Sequence, residues 1–175
     1  MTSDKQQRYE ELLPQVAALV EGETEEMSVL ANVSAALHEQ FGFWWTGFYL
    51  VRNTGSGQEK EGKASAEKGK LPSRELRLGP FQGPVACMHI GYGRGVCGTA
   101  WQRGQTVIVP DVELFPGHIA CSSASRSEIV VPIHDKSGNV VGVLDIDSRE
   151  LATFDETDRH YLELLAGIVS RTLYT

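Results

Sequence analysis

Apolar residues recur along this chain with two different periods, and the changes of period mark out its elements. From the amino end, Tyr9, Leu12, Leu13, Val16, Leu19 and Val20 return at the intervals of a helix face. Pro14 falls among them and, lacking an N–H, must begin or bend that helix. Thr24 followed by Glu25 and Glu26 reads as an N-cap with acids in the first turn, ahead of a second stripe of Met27, Leu30, Val33, Leu37 and Phe41 that ends near Gly42. The period then drops to two. Phe43 to Val51 is rich in aromatics and predicts a strand with Trp45 and Tyr49 on one face and Trp44 and Phe48 on the other.

Residues 53–73 break the pattern. Large apolar side chains all but vanish and charges of both signs replace them, so the segment buries too little surface to order itself and reads as a mobile, charged hairpin insert. Strand character resumes from Glu75 to Phe81, Gly95 to Arg103 predicts a short helix ended by Gly104, and Gln105 to Pro110 a further strand. Glu128 to His134 and Val140 to Ser148 flank a Lys-Ser-Gly-Asn turn and should pair antiparallel. Thr153-Phe-Asp-Glu156 carries a capping-box pattern before the stripe Tyr161, Leu162, Leu165, Ile168, Val169 and Leu173 of a closing helix. Helices at both ends of five to six hairpin-paired strands give an α+β fold. It is expected as one domain, 1–175, with a central antiparallel sheet, helices on one face and functional loops on the other.

Composition narrows what such a domain can do. A chain of 175 residues with 41% hydrophobic content can enclose one sizeable core. A net charge of −7 leaves no basic face to displace counterions from nucleic acid, and no apolar run approaches the ~20 residues that cross a bilayer, so neither nucleic acid nor membrane is an expected partner. The first residues are polar and lack an apolar signal core, which places the chain in the cytoplasm, where thiols stay reduced.

That last point bears on the three cysteines, Cys87, Cys97 and Cys121, which cluster in mid-chain around a glycine-rich stretch at 91–98. An odd count leaves a thiol over from any one disulfide, which favours thiol chemistry over a static framework. Zinc is the competing reading, with His89 and His118 nearby, but gaps of nine and twenty-three residues between the cysteines are unlike the close pairs of structural zinc sites. His118 reads as a solvated loop histidine. The glycines at 91–98 follow no clean strand, as those of a dinucleotide fingerprint would, and read instead as joints that let residues 83–98 move. Glu128 opens a strand seven residues after Cys121, while Asp145 and Asp147 alternate along another and so share a face. Three carboxylates around one pocket, or a solvent-facing sheet surface, would both produce that pattern.

The runs FWWTGFYLV, LGPFQGPVAC, GRGVCGTAWQRGQTVIVPDV, FPGHIACSSASRSEIVVPI and GVLDIDS resemble those of the free methionine-R-sulfoxide reductases, a GAF-domain enzyme family, over nearly the whole chain except the charged insert. The resemblance implies reduction of free L-methionine (R)-S-oxide with no bound metal or organic cofactor. Thioredoxin, itself supplied by NADPH through thioredoxin reductase, would restore the enzyme, and the chain would be a homodimer. By match of motifs it implies that Cys121 is the nucleophile, Cys87 the resolving cysteine and Cys97 an auxiliary one. Trp45 and Tyr49 would form an aromatic substrate wall, the indole holding the S-methyl end and the phenol donating a hydrogen bond. Glu128, Asp145 and Asp147 would share a proton for the sulfoxide oxygen and bind the substrate ammonium. Backbone N–H groups between Cys121 and Arg126 would take the substrate carboxylate. A GAF-type sensor without turnover and a thiol peroxidase using Cys121 are the other readings of the same residues.

Overall fold

The structure, a computed structural model, describes residues 4–54, 73–118 and 123–175. Most of the charged insert expected at 53–73, and Cys121 with its immediate neighbours, therefore lie outside the described residues.

Helices α1 (Asp4–Leu19) and α2 (Glu26–Phe41) lead into strands β1 (Trp45–Asn53), β2 (Arg74–Gln82) and β3 (His89–Gly91). Helix α3 (Gly95–Arg103) follows, then β4 (Val107–Val109), a single 3₁₀ turn at Val112–Leu114, β5 (Ser127–His134), β6 (Val140–Ser148) and helix α4 (Glu156–Leu173). The strands form one six-stranded sheet in the order β3-β2-β1-β6-β5-β4, with every neighbouring pair antiparallel. This is the α+β architecture with a central antiparallel sheet that the alternating patterns predict.

The two-residue period sorts the sheet into two cores. Phe48 and Leu50 on β1, Ile129, Val131 and Ile133 on β5, and Leu144 and Ile146 on β6 pack against α1, α2 and α4. The intervening positions, Trp45, Tyr49, Val130 and Val143, face the other way into a second core with Val96, Cys97, Ala100 and Trp101 of α3. The loop-bearing face thus carries a helix of its own.

Several boundaries differ from those the sequence predicts, each for a local reason. Pro14 neither starts nor divides α1, which runs through it as one element; the packing of Tyr9, Leu12 and Val16 into the core outweighs the one backbone hydrogen bond a proline removes. The N-cap of α2 is Glu25 rather than Thr24, and its side chain makes no capping bond. Helix α4 does have a capping box, but two residues later than Thr153. The Asp155 carboxylate accepts from the N–H groups of Thr157 and Asp158, and Asp158 accepts from the N–H of Asp155. Asp158 is also buried and receives the Tyr9 hydroxyl and the Lys5 ammonium, tying α4 to α1. Strand β1 begins at Trp45, so Trp44 stands outside the strand and packs with the second core, not opposite Trp45. Strand β3 has no signal of its own and exists because Glu75, Leu76 and Arg77 pair with it.

The glycine-rich stretch is also more constrained than a mobile joint. Its Gly91 belongs to β3, the N–H of Gly93 donates to the carbonyl of Gly98, and a Cβ on Gly98 would lie 2.5 Å from the carbonyl oxygen of Gly91. Glycine at 98 permits a close approach of backbone to backbone. Of the segment 83–98, residues 83–88 and Arg94 fall outside a strand, turn or helix.

Candidate active site

The register of β1, β5 and β6 assembles the site. Glu128 lies opposite Asp147, Val130 opposite Asp145, Trp45 opposite Asp147 and Gly47 opposite Asp145. Because cross-strand partners share a face, all three carboxylates and both aromatics project to the α3 side. Gly47 is required there: a Cβ at this position would lie 2.4 Å from Phe81 Cβ and 2.6 Å from the Trp45 ring. Its absence lets the indole lie along the strand, stacked on Phe81 and Tyr49.

The result is a cavity of about 570 Å³ measured to its open mouth. Its floor is Glu128, Asp145 and Asp147, its walls include Trp44, Trp45, Tyr49 and Cys97, and its rim includes Val85, Arg94 and His118. Trp45 is 3% exposed, and Glu128 and Asp145 6% each. One ligand atom from each of Cys97, Glu128 and Asp145 lies within 4.8 Å of the other two.

Burial, and then mutual repulsion, set the protonation of this floor. Desolvation, with the charges of Asp145 and Asp147 added, pushes Glu128 well above the ordinary carboxylate range. Burial followed by the charge of Asp147 does the same to Asp145, opposed by hydrogen bonds from Cys97 and Glu128. Burial lifts Asp147 to about 6, against the hydroxyl of Ser125, which donates to it. A hydrogen bond between two carboxyl groups needs a proton between them, so Glu128 and Asp145, both pushed upward by burial and neighbouring charge, share one. One Asp145 oxygen, Oδ1, is buried without a hydrogen-bond partner among the described residues. The Cys97 thiol is pushed well up by its burial and by the Asp145 and Glu128 charges, so it is not a thiolate at neutral pH.

The aromatic wall holds the segment before β3. Trp45 Nε1 donates to the carbonyl of Pro84 at 3.0 Å and the Tyr49 hydroxyl to the carbonyl of Cys87 at 2.9 Å. The phenol expected to donate to substrate is therefore engaged with the backbone of Cys87. Cys87 is half-buried in that segment, between Val85, which is 86% exposed, and exposed Met88.

Other expectations change with the geometry. Trp44, predicted to face away from Trp45 and Tyr49, lines the cavity with them. His118 is not a solvated loop residue: its side chain is 16% exposed, Nε2 lies 3.8 Å from Glu128 Oε2, and burial lowers its pKa. His89, by contrast, points outward to Glu75, so the cysteine and histidine set of the zinc reading is not assembled among the described residues. Arg126 N–H donates to the carbonyl of Ser148 and is unavailable to a substrate carboxylate; residues 119–122, which carry Cys121 and the remainder of that expectation, lie outside the described residues. Ser125 and His118 were both missed as site residues, although the run HIACSSASRSE contains them with Cys121 and Glu128.

Residues 23–173 match the GAF domain family. The chain is 54% identical to GAF domain-containing protein A of Dictyostelium discoideum, over 90% of this chain and 87% of that protein. It is 40% identical to the free methionine-R-sulfoxide reductase of Escherichia coli, over 98% of this chain and 92% of that one. Its structure superimposes with a TM-score of 0.83, at 49% identity, on the free methionine-R-sulfoxide reductase from Neisseria meningitidis in complex with its substrate, covering 98% of this chain and 92% of that chain. Sequence and structure agree over nearly the full length in each case, and the chain belongs to the GAF-domain family, among the free methionine-R-sulfoxide reductases.

Proposed function

We propose that this protein reduces free L-methionine (R)-S-oxide to L-methionine by thiol chemistry. The observation that carries the reading is the carboxyl pair of Glu128 and Asp145 sharing a proton at the base of an aromatic-walled cavity. Sulfoxide reduction needs that kind of group, because the oxygen leaves sulfur only as it gains a proton.

In this mechanism the thiolate of Cys121 attacks the sulfoxide sulfur while Glu128 gives its proton to the oxygen. The hydroxyl then passes to the Cys121 sulfur as the S–O bond and the new bond between the two sulfurs break, so methionine departs reduced by two electrons and Cys121 is left, oxidised by two, as a sulfenic acid. The Cys87 thiol then condenses with it, forming a disulfide and releasing water, and an external dithiol protein, thioredoxin, reduces the disulfide. Cys87 is disulfide-bonded in the structure while Cys97 is free and buried, which supports Cys87 as the resolving thiol and a lesser role for Cys97. Trp44 and Trp45 would face the S-methyl end, and Asp145 Oδ1 and Asp147 the ammonium. A peptide-bound methionine lacks that ammonium, so selection of the free amino acid follows. No metal or organic cofactor takes part, and NADPH enters only through thioredoxin reductase. The same reading has the protein at work in the reducing cytoplasm, as a homodimer.

Oxidation of NADPH through thioredoxin reductase and thioredoxin tests it, with free methionine-R-sulfoxide, the S epimer, a peptide-bound sulfoxide and peroxide as alternatives. Turnover should be confined to the free R epimer and vanish in Cys121→Ser. Cys87→Ser should release one equivalent of methionine and stop. Activity surviving Cys121→Ser, or preference for peroxide, would sink the reading.

A further inference from the structure

The cavity holds, across its floor, wall and rim, a set of donors that the reduction of a sulfoxide does not require together. Cys97 contributes a thiol, Glu128 and Asp145 carboxylate oxygens, and these atoms already lie within 4.8 Å of one another. His118 adds an imidazole whose Nε2 is 3.8 Å from Glu128 Oε2. Asp145 Oδ1, on a side chain 6% exposed, has no hydrogen-bond partner among the described residues. Thiol, imidazole and two carboxylates are the donor types a tetrahedral zinc ion selects, with Zn–S near 2.3 Å and Zn–N and Zn–O near 2.0–2.1 Å. Those lengths place ligand atoms about 3.3–3.6 Å apart, so Cys97, Glu128 and Asp145 need to close by roughly 1 Å, within the reach of side-chain torsions, and His118, already beside Glu128, must swing further toward the other two. The harder, oxygen-seeking cations magnesium and calcium would leave the sulfur unused.

We infer that Cys97, Glu128, Asp145 and His118 form a binding site for one zinc-class divalent ion, which competes with substrate for the floor of the cavity. The set differs from any built on the three cysteines: Cys87 and Cys121 are not members, and the donors come from α3, β5, β6 and the loop ahead of β5. An ion bound there would occupy the proton donor and the ammonium partner at once, so zinc would act as a reversible inhibitor. Only this competition rests on the proposed function; the binding itself does not.

The test is titration of zinc into reduced protein carrying Cys87→Ser and Cys121→Ser, which removes the redox thiols as ligands. One equivalent should bind. Cobalt in its place should give thiolate-to-cobalt charge-transfer absorption. Adding Cys97→Ala should abolish that absorption, and either Cys97→Ala or Asp145→Asn should weaken zinc binding at least about tenfold, the least that removal of even an outer partner of a metal site brings. Thermal melts of each variant establish that it is folded. Failure to bind one equivalent, or binding unchanged in both added variants, would overturn the site. Saturating free methionine-R-sulfoxide should raise the apparent dissociation constant at least about tenfold. Cys97-dependent binding that ignores the sulfoxide would contradict the catalytic reading of the cavity and leave the metal site standing.

Discussion

In the proposed mechanism Glu128 is the residue on which the chemistry turns, because burial and two neighbouring carboxylates push its pKa well up and favour its protonated form. Glu128→Gln retains the shape and removes the acid, so kcat/KM for free methionine-R-sulfoxide should fall by about 10²–10⁴, the usual contribution of a positioned general acid. Steady-state assay checks this, and a fall of less than tenfold would mean the proton comes from elsewhere. The sequence revealed that Asp145 and Asp147 share a face, since alternation along β6 requires it, but not which of the three acids holds the proton. That depends on burial by α3 and on the hydrogen bond between Glu128 and Asp145, neither of which has a local signature. His118 was read as solvated for the same reason, and the bond from the Tyr49 hydroxyl to Cys87 had no local signature either: the surroundings of both come from segments distant in the chain.

At the level of elements, the site depends on how β1 is built. Gly47→Ala would place a methyl 2.4 Å from Phe81 Cβ and 2.6 Å from the Trp45 ring. Backbone is fixed by pairing on both sides, so the indole must move; about 1–3 kcal/mol of stability should be lost, together with a shift in tryptophan emission. An unchanged emission spectrum would show that Gly47 does not set the position of Trp45. Helix α4 offers the opposite case, an element stabilised far from the chemistry. Asp155→Ala removes its capping box and should cost about 1 kcal/mol, lowering Tm by about 2–4 °C, with kcat unchanged. Differential scanning calorimetry and the standard assay together read that outcome. The existence of α4 was plain from its apolar stripe, whereas its start was not. Thr153-x-x-Glu156 and Asp155-x-x-Asp158 overlap as capping patterns, and burial of Asp158 against Tyr9 and Lys5 selects the second. Strand β3 could not have been found by periodicity, being three residues defined by their partner.

Across the whole molecule, one sheet separates a helix-covered core that supplies stability from a second core that opens into the cavity. The second side weakens the fold as pH rises. Asp147 titrates near 6 in the folded protein against an ordinary 3.8, because it is buried. The native state therefore binds protons more tightly than the unfolded chain, and stability falls as pH rises from about 4 through about 6, by about 3 kcal/mol from this residue. Asp147→Asn should erase that slope, raising Tm at pH 7.5 by at least about 3 °C with no gain at pH 4; equal Tm changes at both pH values would remove the carboxylate as the cause. The division of the sheet into two faces was legible from the alternating pattern, and the stability cost of the polar face was not, since it comes from packing over it. The central claim is that this cavity reduces one epimer of a free amino acid. Racemic free methionine sulfoxide, incubated with the protein and excess dithiothreitol and resolved by chiral chromatography, tests it most directly. The R epimer should disappear with an equal yield of methionine while the S epimer remains; loss of both epimers at equal rates, or of neither, would contradict the account.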